Sequence, residues 1–215
     1  AVLPFVDAVT VSLDGLPQAT NAIRGADAFR DAMATVAQVR RAKRGVSATA
    51  VLTAPAVNGL DEFCRMLQQE RLPTVFQTID PGWVPPKRGE EPLWPDASAY
   101  PGVVRLLQAW KGRGAPILNS RAGLRRLGAF CDMRGLRCRG GDLFARVANS
   151  GHLEVCAMKG DPSPPGLDAR QGILKGLSHI GRPTCAACWS SARVEANLVL
   201  GGSLSAIATA VLKRP

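Results

Sequence analysis

Residues 6–15, "VDAVTVSLDG", form a short β-branched run that ends in Asp-Gly. This predicts a buried strand closing in a turn. From about Asp27 to Arg44 the period becomes helical: Phe29, Met33, Val36 and Val39 recur on one face, and Gly45 stops the helix. "VSATAVLT" (46–53) reads as the next strand, and "NGLDEFCRMLQQERL" (58–72) as a second amphipathic helix with Leu60, Phe63 and Leu67 on its apolar side. "PTVFQTI" (73–79) is a third strand. Strand and helix alternating at this spacing are successive βαβ units, which build a parallel sheet. Such sheets place ligands at the carboxyl ends of their strands, which here carry Ser12, Asp14, Thr53 and Asp80.

The pattern then changes. Residues 81–101 hold six prolines and two tryptophans, too many breakers for a regular element, and are expected to form a long loop acting as a lid or connection. Two helices are expected at about 102–112 and 120–133. "DLFARVANSGHLEVC" (142–156) reads as a β-hairpin about an Asn-Ser-Gly turn. A short helix (168–178) follows, then a final helix from about Trp189 towards Leu212 that is interrupted at Gly201-Gly202. The expected division is a first domain over 1–118, including the Pro-rich loop, and a second over 119–215.

At 215 residues the chain can bury a core without covalent staples, so its six cysteines are not needed for bulk stability. No run of about 18 apolar residues and no export signal is visible, which excludes a spanning helix and points to a reducing, cytoplasmic setting. The net charge of +10 gathers in "RRAKRG" (40–45) and in six arginines over 121–139. A basic surface attracts polyanions such as an acidic peptide or a phosphorylated substrate. With so few aromatics to stack bases, nucleic acid is not expected as a partner, and a solvated helix face accounts for the charge.

The cysteines carry the sharpest signal. Cys185 and Cys188 form a CxxC at a helix start, and Cys138 and Cys156 bracket the hairpin. Four such thiols suit tetrahedral zinc or an iron-sulfur cluster. Zinc clamps generally use two tight pairs; here one pair is split by a whole hairpin, which favours a larger inorganic core. Cys64 lies in an amphipathic helix and reads as a small buried hydrophobe, and Cys131 as helical. His152 is placed on the hairpin. His179, in the loop before "IGRPTC", could tune a nearby cluster but reads as an ordinary loop histidine.

The spacing C-x12-G-x4-C through Cys138, Gly151 and Cys156, followed by "CAAC", resembles the auxiliary-cluster segment of radical SAM enzymes of the SPASM/twitch class. Val194 stands where a full SPASM domain continues with another cysteine, so the resemblance implies one auxiliary 4Fe-4S cluster. "VDAVTVSLDGLPQATNAIRGADAFRDAM" is similar to the fourth strand and following loop of the radical SAM barrel, with its SxDG and later Arg-Gly, and "VLTAPAVNGLDEFCRML" to the next strand and helix, with Asn58 at a matching position. The implied fold is α/β: a partial (β/α) TIM-like barrel segment followed by a small α+β, cysteine-rich, twitch/SPASM-like domain. The implied cofactors are S-adenosylmethionine, contacted by Ser12 and Arg24, and a 4Fe-4S cluster on Cys138, Cys156, Cys185 and Cys188. Intact, such an enzyme makes a 5'-deoxyadenosyl radical that abstracts hydrogen from a peptide or small metabolite. One departure is clear: no C-x3-C-x2-C for the radical-generating cluster occurs in these residues. The chain is therefore expected to be the carboxyl-terminal part of a longer enzyme, or a degenerate relative. The competing expectation is a zinc-structured four-cysteine module with a basic binding face.

Overall fold

The computed structural model describes residues 3–79, 93, 95, 97–129, 134–156, 168–180, 188 and 190–212. The chain divides into two compact units, Ala1–Cys131 with Trp189–Pro215, and Asp132–Cys188.

The first unit is built on a three-stranded parallel sheet in the order β1 (Ala8–Ser12), β2 (Gly45–Leu52), β3 (Thr74–Thr78). Ser12 pairs with Thr49, and Leu52 with Thr78. Between β1 and β2 run α1 (Pro17–Arg24) and α2 (Ala28–Arg41), and between β2 and β3 run α3 (Ala54–Asn58) and α4 (Leu60–Gln69). The sequence pattern predicts α2 and α4 but neither α1 nor α3. Both are short and open on a proline near the first helical position, and α1 buries only Ala19 and Thr20. Their signal is therefore start chemistry rather than periodicity. After β3 come α5 (Tyr100–Gly112) and α6 (Arg121–Gly128); the late helices α8 (Ser191–Leu200) and α9 (Leu204–Leu212) return to pack on α6.

The strands alternate as a sheet must. Val11, Ala48, Ala50, Leu52 and Phe76 enter the core with Val36, Leu60, Phe63, Leu67, Leu107 and Leu124 from the helices. On the other face Thr10 and Ser12 are exposed and Ser47, Thr49 and Gln77 are half-buried. Thr10 and Ser47 share a hydroxyl hydrogen bond of 3.0 Å there. One face of this parallel sheet is thus a dry core, the other a hydroxyl-rich surface.

A fourth segment lies beside β3. The Thr74 amide donates to Pro116 at 2.9 Å and the Leu118 amide donates to Thr74 at 2.8 Å. Asn119, fully buried, then replaces backbone with side chain: its Oδ1 accepts the Phe76 amide at 2.7 Å and its Nδ2 donates to the Phe76 carbonyl at 2.9 Å. The pairing of β3 continues past the point where the chain has turned away.

In the second unit the expected hairpin consists of β4 (Arg146–Val147) and β5 (Leu153–Glu154), with Arg146 opposite Glu154. Gly151 closes the turn at φ 88°, a conformation that costs other residues more. The expected helix 168–178 is a 3-10 turn, Ala169–Gln171, followed by α7 (Ile173–Leu177). At Gly176 a Cβ would stand 2.0 Å from Leu153 Cδ1, so any larger residue would force the Leu153 side chain aside. The helices α6, α8 and α9 group with the first unit, where Leu124, Leu127, Val194 and Leu198 are buried. Among the described residues no single helix is long and apolar enough to cross a membrane.

Candidate functional site

The carboxyl ends of the strands gather polar side chains into ordered positions. Ser12, the last residue of β1, is exposed. Beyond it the Leu13 amide still donates to Thr49 at 3.0 Å, and then the backbone departs. Asp14 takes over the pairing: its Oδ1 accepts the Val51 amide at 2.9 Å. Its side chain is wholly buried, and a buried carboxylate requires a cation or several donors.

Arg24, the last residue of α1, supplies both. Its Nε donates to Asp14 Oδ2 and its Nη2 donates to Oδ1 at 3.1 Å, a bidentate fork. About a third of the Arg24 side chain remains in solvent (34%). The fork fixes the guanidinium plane, and neither hydrogen of Nη1 is directed to Asp14. α1 itself is held at this edge by Thr20, whose hydroxyl accepts the Gly15 amide at 3.1 Å and donates to the Gly15 carbonyl at 2.8 Å. Gly15 permits the approach, since a Cβ there would meet that of Ala19 at 2.9 Å. Sequence reasoning assigned Asp14 to the turn; its partnership with Arg24 is the feature it missed. The ten-residue separation of Asp14 and Arg24 becomes contact only through α1, which periodicity does not reveal.

Along the same edge Thr53 is buried and caps α3, its hydroxyl accepting the Ala56 amide at 3.4 Å. The Ala54 amide donates to the Leu93 carbonyl at 2.9 Å, so the Pro-rich segment touches the strand ends at one described point. Asn58 ends α3 and is exposed. Asp80 lies outside the described residues. Next to the fourth segment, Ser120 caps α6 by accepting the Gly123 amide at 2.9 Å, and its own amide donates to Glu195 Oε1 at 2.8 Å. Burial raises the Glu195 carboxyl above its ordinary value, opposed by the Ser120 hydrogen bonds and by Lys111. Glu195 is a second interaction that sequence spacing did not signal, as it spans 75 positions.

In the second unit Cys138 is half-buried, and the Gly140 amide donates to its sulfur at 3.4 Å. Cys156 is half-buried and Cys188 buried; none of the three is in a disulfide. Cys185 and Cys131 lie outside the described residues. Among the described residues no three His, Cys, Asp or Glu side chains form a group that could hold a metal ion. The hairpin pairs Arg146 with Glu154 and Val147 with Leu153, and the Ala148 amide donates to the His152 carbonyl at 2.8 Å. His152 shares a 3.0 Å hydrogen bond with Ser150. His179 sits 2.7 Å from the Lys175 carbonyl, a local helix-end contact. Cys64 is buried in α4, and burial pushes its thiol up to about 12, with Asp61 adding to the rise; it packs as an inert apolar group.

No family model and no curated protein sequence matches the chain. Among solved structures it is similar to native anSMEcpe with bound AdoMet and Kp18Cys peptide, at 16% identity and a TM-score of 0.59, over 79% of this chain and 50% of that one. The form with Cp18Cys peptide gives 15% identity, a TM-score of 0.59 and the same coverage. Native anSMEcpe with bound AdoMet alone gives 16% identity and a TM-score of 0.59, with 49% of its chain covered. At this low identity the likeness bears on the fold alone, which it supports as radical SAM-like. The chain spans about half the length of the structures it matches.

Proposed function

We propose that the first unit is the S-adenosylmethionine-facing part of a radical SAM enzyme, and that the second unit contributes cysteines to one auxiliary 4Fe-4S cluster. The observation that carries the reading is the Arg24 guanidinium, held in a fixed plane by the buried carboxylate of Asp14 at the edge where the strands of a parallel sheet end. With Nε and Nη2 turned to Asp14, the Nη1 edge of the guanidinium is left to meet a ligand carboxylate, which it matches in charge. Ser12, exposed on the same edge, is suited to an amino group. Support also comes from the fold's likeness to structures with bound AdoMet.

In the second unit the support is chemical. Cys138, Cys156 and Cys188 are undisulfided and within one compact unit, and Cys138 receives an amide hydrogen bond. Cys185 completes the donor set by sequence. Bound, the cofactor pair of such an enzyme supplies hydrogen abstraction from a peptide or small metabolite. This chain's own residues orient the methionyl group, shield the sheet's helix side from water and hold the auxiliary site. Radical generation is not assigned to them, because they contain no C-x3-C-x2-C.

Calorimetric titration of S-adenosylmethionine into the full chain tests the first claim. Arg24→Lys, which keeps the charge facing Asp14 but loses the fork, is expected to weaken binding roughly tenfold. Equal binding by the two proteins would refute the role of Arg24. Anaerobic reconstitution followed by iron and zinc counting tests the second claim. About four irons per chain, lost in Cys185→Ala/Cys188→Ala, is the expected result; stoichiometric zinc without iron would replace the cluster with a structural metal.

A further inference from the structure

At the opposite, amino-terminal end of the same sheet lies a cavity of about 510 Å³. That volume accommodates a small organic molecule. Its wall is mainly apolar, with Ala8 and Val46 at the starts of β1 and β2 and Pro116 and Leu118 from the fourth segment. Two cations, Lys111 and Arg121, are also in the lining, with the Ser47 hydroxyl as a neutral polar group.

The two cations are not equivalent. Lys111 donates to the Ile117 carbonyl at 2.7 Å, and its charge also lies close enough to Glu195 to favour that carboxylate. Arg121 is the first residue of α6, a position where the helix dipole disfavours positive charge. Its side chain turns back instead towards the end of α5, Nη2 standing 4.0 Å from where a Cβ on Gly112 would be. Among the described residues no carboxylate pairs with it. An exposed arginine held over an apolar cavity at an unfavourable helix position offers one bidentate fork beside a hydrophobic wall.

We infer that this cavity is a binding site for a small amphipathic carboxylate, with Arg121 taking the carboxylate and the wall formed by Ala8, Val46, Pro116 and Leu118 taking an aliphatic tail. One uncommitted guanidinium balances one negative charge; a dianion would leave excess charge to desolvate against apolar surface. The site is separate from the Ser12 and Arg24 edge and does not depend on the function proposed there.

Octanoate serves as the probe, with octanol as its neutral counterpart and butyrate as its short one. Titration of the isotope-labelled full chain is followed by amide shifts. Octanoate is expected to saturate one site and move Ala8, Val46 and Leu118, with butyrate binding more weakly. Arg121→Gln is expected to weaken octanoate about tenfold and leave octanol unchanged. Ala8→Trp, which fills the cavity from its wall, is expected to abolish both. No saturable octanoate binding by the unmodified chain, shifts at other residues, or equal octanoate affinity in Arg121→Gln would each overturn the assignment. The first two readouts use the unsubstituted protein and do not depend on a variant folding.

Discussion

Replacing Arg24 by Gln removes the cation from a carboxylate that has no solvent of its own. The Asp14 side chain is 0% exposed and that of Arg24 34%. Breaking a fully buried pair costs about 3–5 kcal/mol. Here water can enter through the exposed third of Arg24, and Asp14 keeps its bond from the Val51 amide, so the expected loss is about 2 kcal/mol. Asp14→Ala removes the acceptor of Val51 as well and is expected to cost about 3 kcal/mol. The double variant should cost less than the two singles summed, by roughly 1–2 kcal/mol, because they share one interaction. With two compact units in the chain, a global unfolding curve mixes transitions. Native-state hydrogen exchange at the sheet amides of Leu52 and Phe76 reads the first unit alone. A loss below about 0.5 kcal/mol for Arg24→Gln would place the pair among ordinary surface contacts and refute the reasoning.

Asn119→Ala leaves the Phe76 amide buried without its acceptor while Ser191 still donates to the Phe76 carbonyl at 2.6 Å; the expected loss is about 2 kcal/mol by exchange at β3. For Glu195, burial raises the folded carboxyl above its ordinary 4.5, so the folded protein holds that proton more tightly than the unfolded chain. Its contribution is full below 4.5 and is lost as pH rises through the folded value; Glu195→Gln should flatten the fall in stability that exchange or urea midpoints record above pH 4.5. Arg170 hydrogen-bonds Asp168 and holds its carboxyl at about 2; Arg170→Ala should return it towards 3.8 in a carboxyl NMR titration, and an unchanged value would refute the pairing.

Much of the first unit was legible because its elements are repetitive. Val36 and Val39 on α2 and Leu60, Phe63 and Leu67 on α4 show the helical period, and all five are buried. β1 to β3 stood out as apolar runs between breakers. What stayed hidden are single polar substitutions for backbone pairing. Asp14 on Val51 and Asn119 on Phe76 each act across 37 and 43 positions, and no local period records them. α1 was missed for a related reason: with Pro17 at its start and two buried residues, it is held by Thr20 and Arg24 rather than by an apolar stripe. The cysteine spacing named four ligand candidates, but spacing fixes chemistry, not convergence, and Cys185 lies outside the described residues.

The ligand proposed for the carboxyl edge of the parallel sheet is S-adenosylmethionine. Amide shift mapping of the isotope-labelled full chain with added S-adenosylmethionine tests it most directly. Saturable shifts at Ser12, Leu13, Asp14 and Arg24, with Val46 and Leu118 at the far end unmoved, are the predicted result. Shifts confined to the far end, or none at any concentration, would contradict it.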